Sequence, residues 1–218
     1  MRKIIAILLF FSTLFWSGAE TLAQQRVVQY DRNFVFRDGI YISFSDFKNN
    51  APIPVSRIIS DYNKNSQDFF SKVLSKRTFT YVDNTGKEQT ENSDETWGYS
   101  SGGIIYVNHG TDFNRMTIIG NISHFLATVK MRMVNSDPFY YDRNFGVPQQ
   151  YTYVSTQCIL DFETGSIMDF SVNNMEIILS RDEALYQQFL ALKKRQQRDA
   201  IFLYLRKYNE KHPIYFPE

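Results

Sequence analysis

Between Trp97 and Gly110 two β-type runs meet at a glycine pair, Trp-Gly-Tyr-Ser-Ser-Gly-Gly-Ile-Ile-Tyr-Val-Asn-His-Gly, and no other stretch restricts the fold as strongly. Ile104 and Tyr106 alternate with Ile105 and Val107, so the second run offers bulky side chains to both faces, as a strand covered on both sides does. Gly102-Gly103 supplies the positive φ that a two-residue hairpin turn requires. The expectation is a sheet with this hairpin at its centre.

Comparable runs recur on both sides. Thr78-Phe-Thr-Tyr-Val enters a turn at Asp83-Asn-Thr-Gly86 and returns through a polar arm, 87–92. Strands are expected over 114–119 and 122–133, then a hairpin over 154–170 turning at Gly165. Upstream, Ile40, Ile42 and Phe44 alternate with Tyr41 and Ser43 as in a half-buried strand, after which Ser45 is placed to cap a helical turn over 46–49. Residues 55–59 read as extended and 69–74 as a short helix.

From Asn173 the pattern turns helical. Asn173 with Glu176, and Ser180 with Glu183, have the spacing of capping boxes. Residues 182–210 contain neither proline nor glycine, and Leu185, Phe189 and Leu192 form a stripe that Ile201, Leu205 and Tyr208 resume one phase later. One long helix, bent near Gln196-Gln197 and ended by Pro213, is the expected outcome. The fold class is therefore α+β: an antiparallel meander of about six to eight strands packed with a long C-terminal helix.

Arg2 and Lys3 precede the apolar run 4–16 and small residues up to Ala23, the pattern of a secretory signal peptide cleaved after Ala19 or Ala23. No later segment approaches the about 20 apolar residues that span a bilayer. Residues 24–218 are expected to form a single domain, and the only cysteine, Cys158, lies too deep for a lipoprotein anchor. It is expected to be a buried, unreactive thiol in a protein with no internal disulfide. Loss of Arg2, Lys3 and Glu20 leaves 22 residues of each sign, so no overall field attracts nucleic acid.

Reactive constellations are sparse. Gly98-Tyr-Ser100-Ser-Gly102 spells a serine-nucleophile elbow, but a strand follows it where a helix is needed. His109, Asp112, His124 and His212 lack metal-ligand spacing, so neither metal nor cofactor is expected. Asp161 and Glu163 lie two apart beside a turn and could face the same side at the end of a strand, as paired carboxylates for acid-base work. Asn121-Ile-Ser123 is a glycosylation sequon in form. Two stretches offer contact surfaces: the loop 135–153, with Phe139-Tyr140-Tyr141 at its head, and the basic cluster Lys193-Lys194-Arg195 with Arg198. Each also has a plainer reading, as cover for one end of the sheet and as a solvated helix face.

Gly39-Ile-Tyr-Ile-Ser-Phe, Phe47-Lys-Asn-Asn-Ala-Pro, Trp97-Gly-Tyr, Gly103-Ile-Ile-Tyr-Val-Asn, Leu160-Asp-Phe-Glu-Thr-Gly and the ending from Tyr204 to Pro217 span most of the chain. In these stretches the chain resembles a family of exported single-domain proteins from Bacteroidota-type bacteria, a domain of unknown function. That resemblance implies export and one domain and brings no activity or site residue. The functional expectation is an exported, soluble, non-catalytic binding or structural protein of the cell envelope, whose partner is an envelope protein or a polysaccharide. A carboxylate-dependent carbohydrate-active hydrolase is the alternative.

Overall fold

The computed structural model describes residues 26–132 and 151–218. Its frame is a 7-stranded antiparallel sheet built from β2 (Gly39–Tyr41), β6 (Gly98–Ser101), β7 (Ile104–His109), β8 (Asp112–Ile118), β9 (Ile122–Arg132), β10 (Tyr151–Asp161) and β11 (Ile167–Asp169), ordered β11-β10-β9-β8-β7-β6-β2. The expected α+β architecture is the observed one. The Trp97 hairpin, β6 and β7, sits toward the β2 edge, however, and β8 holds the middle. Gly102 and Gly103 have φ of 60° and 74°, the left-handed pair that the two-residue turn demands. The Asp38 carboxylate caps this turn, accepting from the Gly102 and Gly103 amides at 3.0 and 3.1 Å and from the Ser100 hydroxyl at 3.2 Å.

Cross-strand register divides the sheet into two unlike faces. On one, Tyr41, Ile105, Val107, Phe125, Cys158 and Leu160 meet Phe36, α1 (Phe44–Lys48) and the C-terminal Ile214 and Phe216. A small sheet formed by β1 (Val27–Gln29) and β12 (Tyr215–Pro217) closes this side. Phe47 lies at its centre, stacked on Trp97 at 4.3 Å between ring centroids.

The other face carries two separate covers. Ile40, Tyr99 and Tyr106 receive α2 (Phe69–Leu74) and a 3-stranded sheet of β3 (Ile58–Ile59), β4 (Thr78–Val82) and β5 (Glu88–Asn92). Ile122 and Ile159 receive α3 (Val172–Leu179), α4 (Glu183–Leu190) and α5 (Lys194–Lys211). Asn209 docks α5 onto β9, accepting from the Ile122 amide at 2.7 Å and donating to the Ile122 carbonyl at 2.8 Å.

Several local expectations are corrected. Ser43, rather than Ser45, caps α1 through a capping box with Asp46, because β2 ends at Tyr41 and leaves the next two residues free to turn. Residues Val55–Arg57 form a 3-10 turn where extended chain was expected. Ser171 and Asp182 cap α3 and α4 in place of Asn173 and Ser180. The expected long helix is two helices: the Lys193 amide donates to Gln196 Oε1 and Gln197 Nε2 donates to the Phe189 carbonyl, so side chains satisfy the backbone at the break. Tyr151, Thr152 and Tyr153 belong to β10 rather than to a loop.

Candidate functional site

The expected binding residues separate. Phe139, Tyr140 and Tyr141 lie outside the described residues. Lys193 is the N-cap residue of α5, its amide donating to Gln196 Oε1, and Arg195 is exposed and does not line the cleft described next. Lys194 and Arg198, one helical turn apart, do line one, a space of about 530 Å³ between α5, the start of α3 and β10. Gln157 forms its floor, Phe170 and Phe202 meet edge to face at 4.7 Å on one wall, and Ser171 and Asn173 stand at the mouth. Lys194 reaches Glu176 at 2.7 Å, whereas Arg198 has no carboxylate partner among the described residues.

His124 lies behind this cleft, on β9. Its Nε2 is 3.1 Å from Gln157 Oε1 and its Nδ1 2.9 Å from the Thr117 hydroxyl. Since Gln157 presents a carbonyl oxygen, Nε2 carries the proton and Nδ1 accepts from Thr117. Burial lowers the imidazole pKa, against the opposing pull of the Gln157 contact, and Phe170 and Phe202 enclose the ring. This histidine is neutral, held and screened from the cleft by Gln157.

β9 and β10 run on together past the rest of the sheet, and their pairing continues to Arg132 opposite Tyr151. Directly opposed residues share a face, so Leu126, Thr128, Lys130 and Arg132 stand beside Gln157, Ser155, Tyr153 and Tyr151. His124 lies on this same face, so the strip is a continuation of the cleft floor. Lys130 Nζ stands 4.3 Å from the centre of the Tyr151 ring. Tyr153 is 64% exposed and has no ring partner among the described residues. Lys130 and Arg132 have no carboxylate partner there either, and the eight positions of the strip include no Asp or Glu.

The catalytic constellations weighed from the sequence hold structural posts. Ser100 is wholly buried within β6 and serves the Asp38 cap. Asp161 takes both guanidinium nitrogens of Arg181, at 2.9 and 2.7 Å, the Thr164 hydroxyl at 2.8 Å and the Glu163 amide at 3.1 Å. Burial alone would push its carboxyl up, but these donors together hold it below the ordinary range. Lys211 above all, then His212, holds Asp182 well down while it caps α4. A second cleft, of about 500 Å³, gathers Asp38, Asp46 and Asp83. Asp38 and Asp46 are the caps already described, and the Thr85 hydroxyl, with Gln89 and the Lys87 amide, holds Asp83 far below the ordinary range. Among the described residues no group of His, Cys, Asp and Glu could hold a metal ion. Burial pushes the Cys158 thiol up, and Asp169 adds to this. Asn121 is 8% exposed, which leaves the sequon side chain little room for a glycan.

No protein-family model matches the chain, and no curated protein or solved structure does either. Likewise, no helix among the described residues is long and apolar enough to cross a membrane.

Proposed function

We propose that this is an exported, non-catalytic binding protein of the cell envelope that holds its partner along the α3–α5 cleft and the β9–β10 strip. The observation that carries the reading is the strip itself. An exposed tyrosine, cations with no carboxylate partner among the described residues and hydroxyl groups share one face of a two-stranded ribbon, beside a cleft that no carboxylate lines. Support for the hydrolase alternative is weak, because Asp83, Asp161 and Asp182 are each tied into local structure and held ionised. A general acid needs a carboxyl kept protonated near neutral pH.

A photo-crosslinking amino acid at position 153, in cells exporting the protein, tests this. Its control occupies position 35, on the opposite side of the sheet, where Val35 is 72% exposed. Adducts with an envelope component from position 153 alone are expected. Identical adducts from both positions, or protein retained in the cytoplasm, refute the proposal.

A further inference from the structure

We infer that the ligand of the β9–β10 strip is an acidic polysaccharide, a chain of sugar rings bearing carboxylate or sulfate groups. This inference rests on the binding reading above and gives its partner a chemistry. From Tyr151 to Gln157 the strip spans seven residues, about 20 Å at the usual rise per residue, before it meets the cleft. That geometry suits an extended polymer better than a small molecule.

The chemistry along this length is ordered. Tyr153 offers an open aromatic face for the apolar side of a sugar ring. Lys130 stands directly opposite it, and Arg132 one pleat further on. At the other end Arg198 supplies a cation on the cleft wall. Between them Thr128, Ser155 and Gln157 present hydroxyl and amide groups to sugar hydroxyls. Leu126 is the one aliphatic member, too little for a lipid surface. The reverse face of the same ribbon carries Ala127, Val129 and Met131 opposite Thr156, Val154 and Thr152, with hydroxyl groups but neither a cation nor an aromatic ring. Charge complementarity thus selects an anion.

Binding of the purified protein to polygalacturonate, dextran sulfate, neutral dextran and a single-stranded DNA decides the matter. Both acidic glycans bind, in a salt-sensitive manner, while neutral dextran and DNA bind at least about tenfold more weakly. Tyr153→Ala weakens glycan binding by about tenfold, and Arg132→Ala and Arg198→Ala by about three- to fivefold each, with melting temperatures unchanged because all three side chains serve no core contact. Equal binding of DNA or of neutral dextran overturns the inference, as does acidic-glycan binding that these substitutions leave untouched. If no glycan binds while crosslinks from position 153 persist, the ligand chemistry is wrong and the binding function stands. Loss of both removes both.

Discussion

Changing Asp161 to Asn opens the most heavily bonded charged cluster of the fold. The Asp161 side chain is 1% exposed and Arg181 30% exposed, and Arg181 also reaches Glu163 at 3.2 Å. Removing one partner of a fully buried ion pair costs about 3–5 kcal/mol. Here the guanidinium keeps Glu163 and some water, and an asparagine still accepts from Thr164 or the Glu163 amide, so the expected loss is about 2–3 kcal/mol. For a chain of this size that lowers Tm by about 5–10 °C. Trp97, the only tryptophan among the described residues, stacks on Phe47 and reports unfolding in urea and on heating. Adding Arg181→Met removes the orphaned charge and restores stability to within about 1 kcal/mol of the original. A single variant within about 0.5 kcal/mol of the parent, or a double variant no better than the single, refutes the assignment. The pH dependence follows from the same cluster. Asp161 and Asp182 bind protons at lower pH folded than unfolded, so their contribution is complete above the unfolded carboxylate pKa of about 4 and is lost as pH falls further. The Asn variant therefore shows a shallower acid limb.

Three further outcomes are expected. Phe47→Ala, at the junction of Phe36, Tyr41, Trp97, Phe162 and Phe216, costs about 3–5 kcal/mol and shifts Trp97 emission to the red; a blue or unchanged spectrum contradicts the stacking. Asn209→Ala strands the Ile122 amide and carbonyl and costs about 2–3 kcal/mol, with faster hydrogen exchange at the Ile122 amide; unchanged protection there means α5 is held by other contacts. His124 is held neutral by burial, so its unfolded form protonates first, and its contribution fades as pH falls below about 6.5. His124→Gln removes that part of the profile, and a variant with the parent's slope there excludes the mechanism.

The sheet was legible where side-chain period and turn chemistry agree. Gly102-Gly103, Asp83 to Gly86 and Gly165 each stand at a turn, and the strands between them are within a few residues of the expected bounds. Helix ends were less so, because capping is decided by which residue the preceding strand releases. β2 stops at Tyr41, so Ser43 caps and Ser45 falls within α1. The division of the long helix leaves a trace in the sequence. Leu185, Phe189 and Leu192 and the later Ile201, Leu205 and Tyr208 are one phase apart, and two stripes out of register need two helices to bury both against the same sheet.

The site was legible in part, for a physical reason that concerns what a strand can announce. Lys194 and Arg198 stand out as a helical cluster because helix neighbours are three or four residues apart. Lys130 and Tyr153 are 23 positions apart in the chain and become neighbours only through the β9–β10 register. Alternation along one strand, Leu126-Ala-Thr128-Val-Lys130-Met-Arg132, does mark a polar and basic face, yet it cannot say which residues stand opposite. Most hydrophobic surface on the helix side of the sheet is covered by α2 or by α3–α5, so a bare stretch there is a place where neither cover extends. Among the described residues the strip is bare because β9 and β10 outrun both covers. A partner that lies along the ribbon thus needs no helix to move aside, and residues 130–132 and 151–153 can change without touching the core clusters, apart from the single contact that their neighbour Val129 makes with the opposite side.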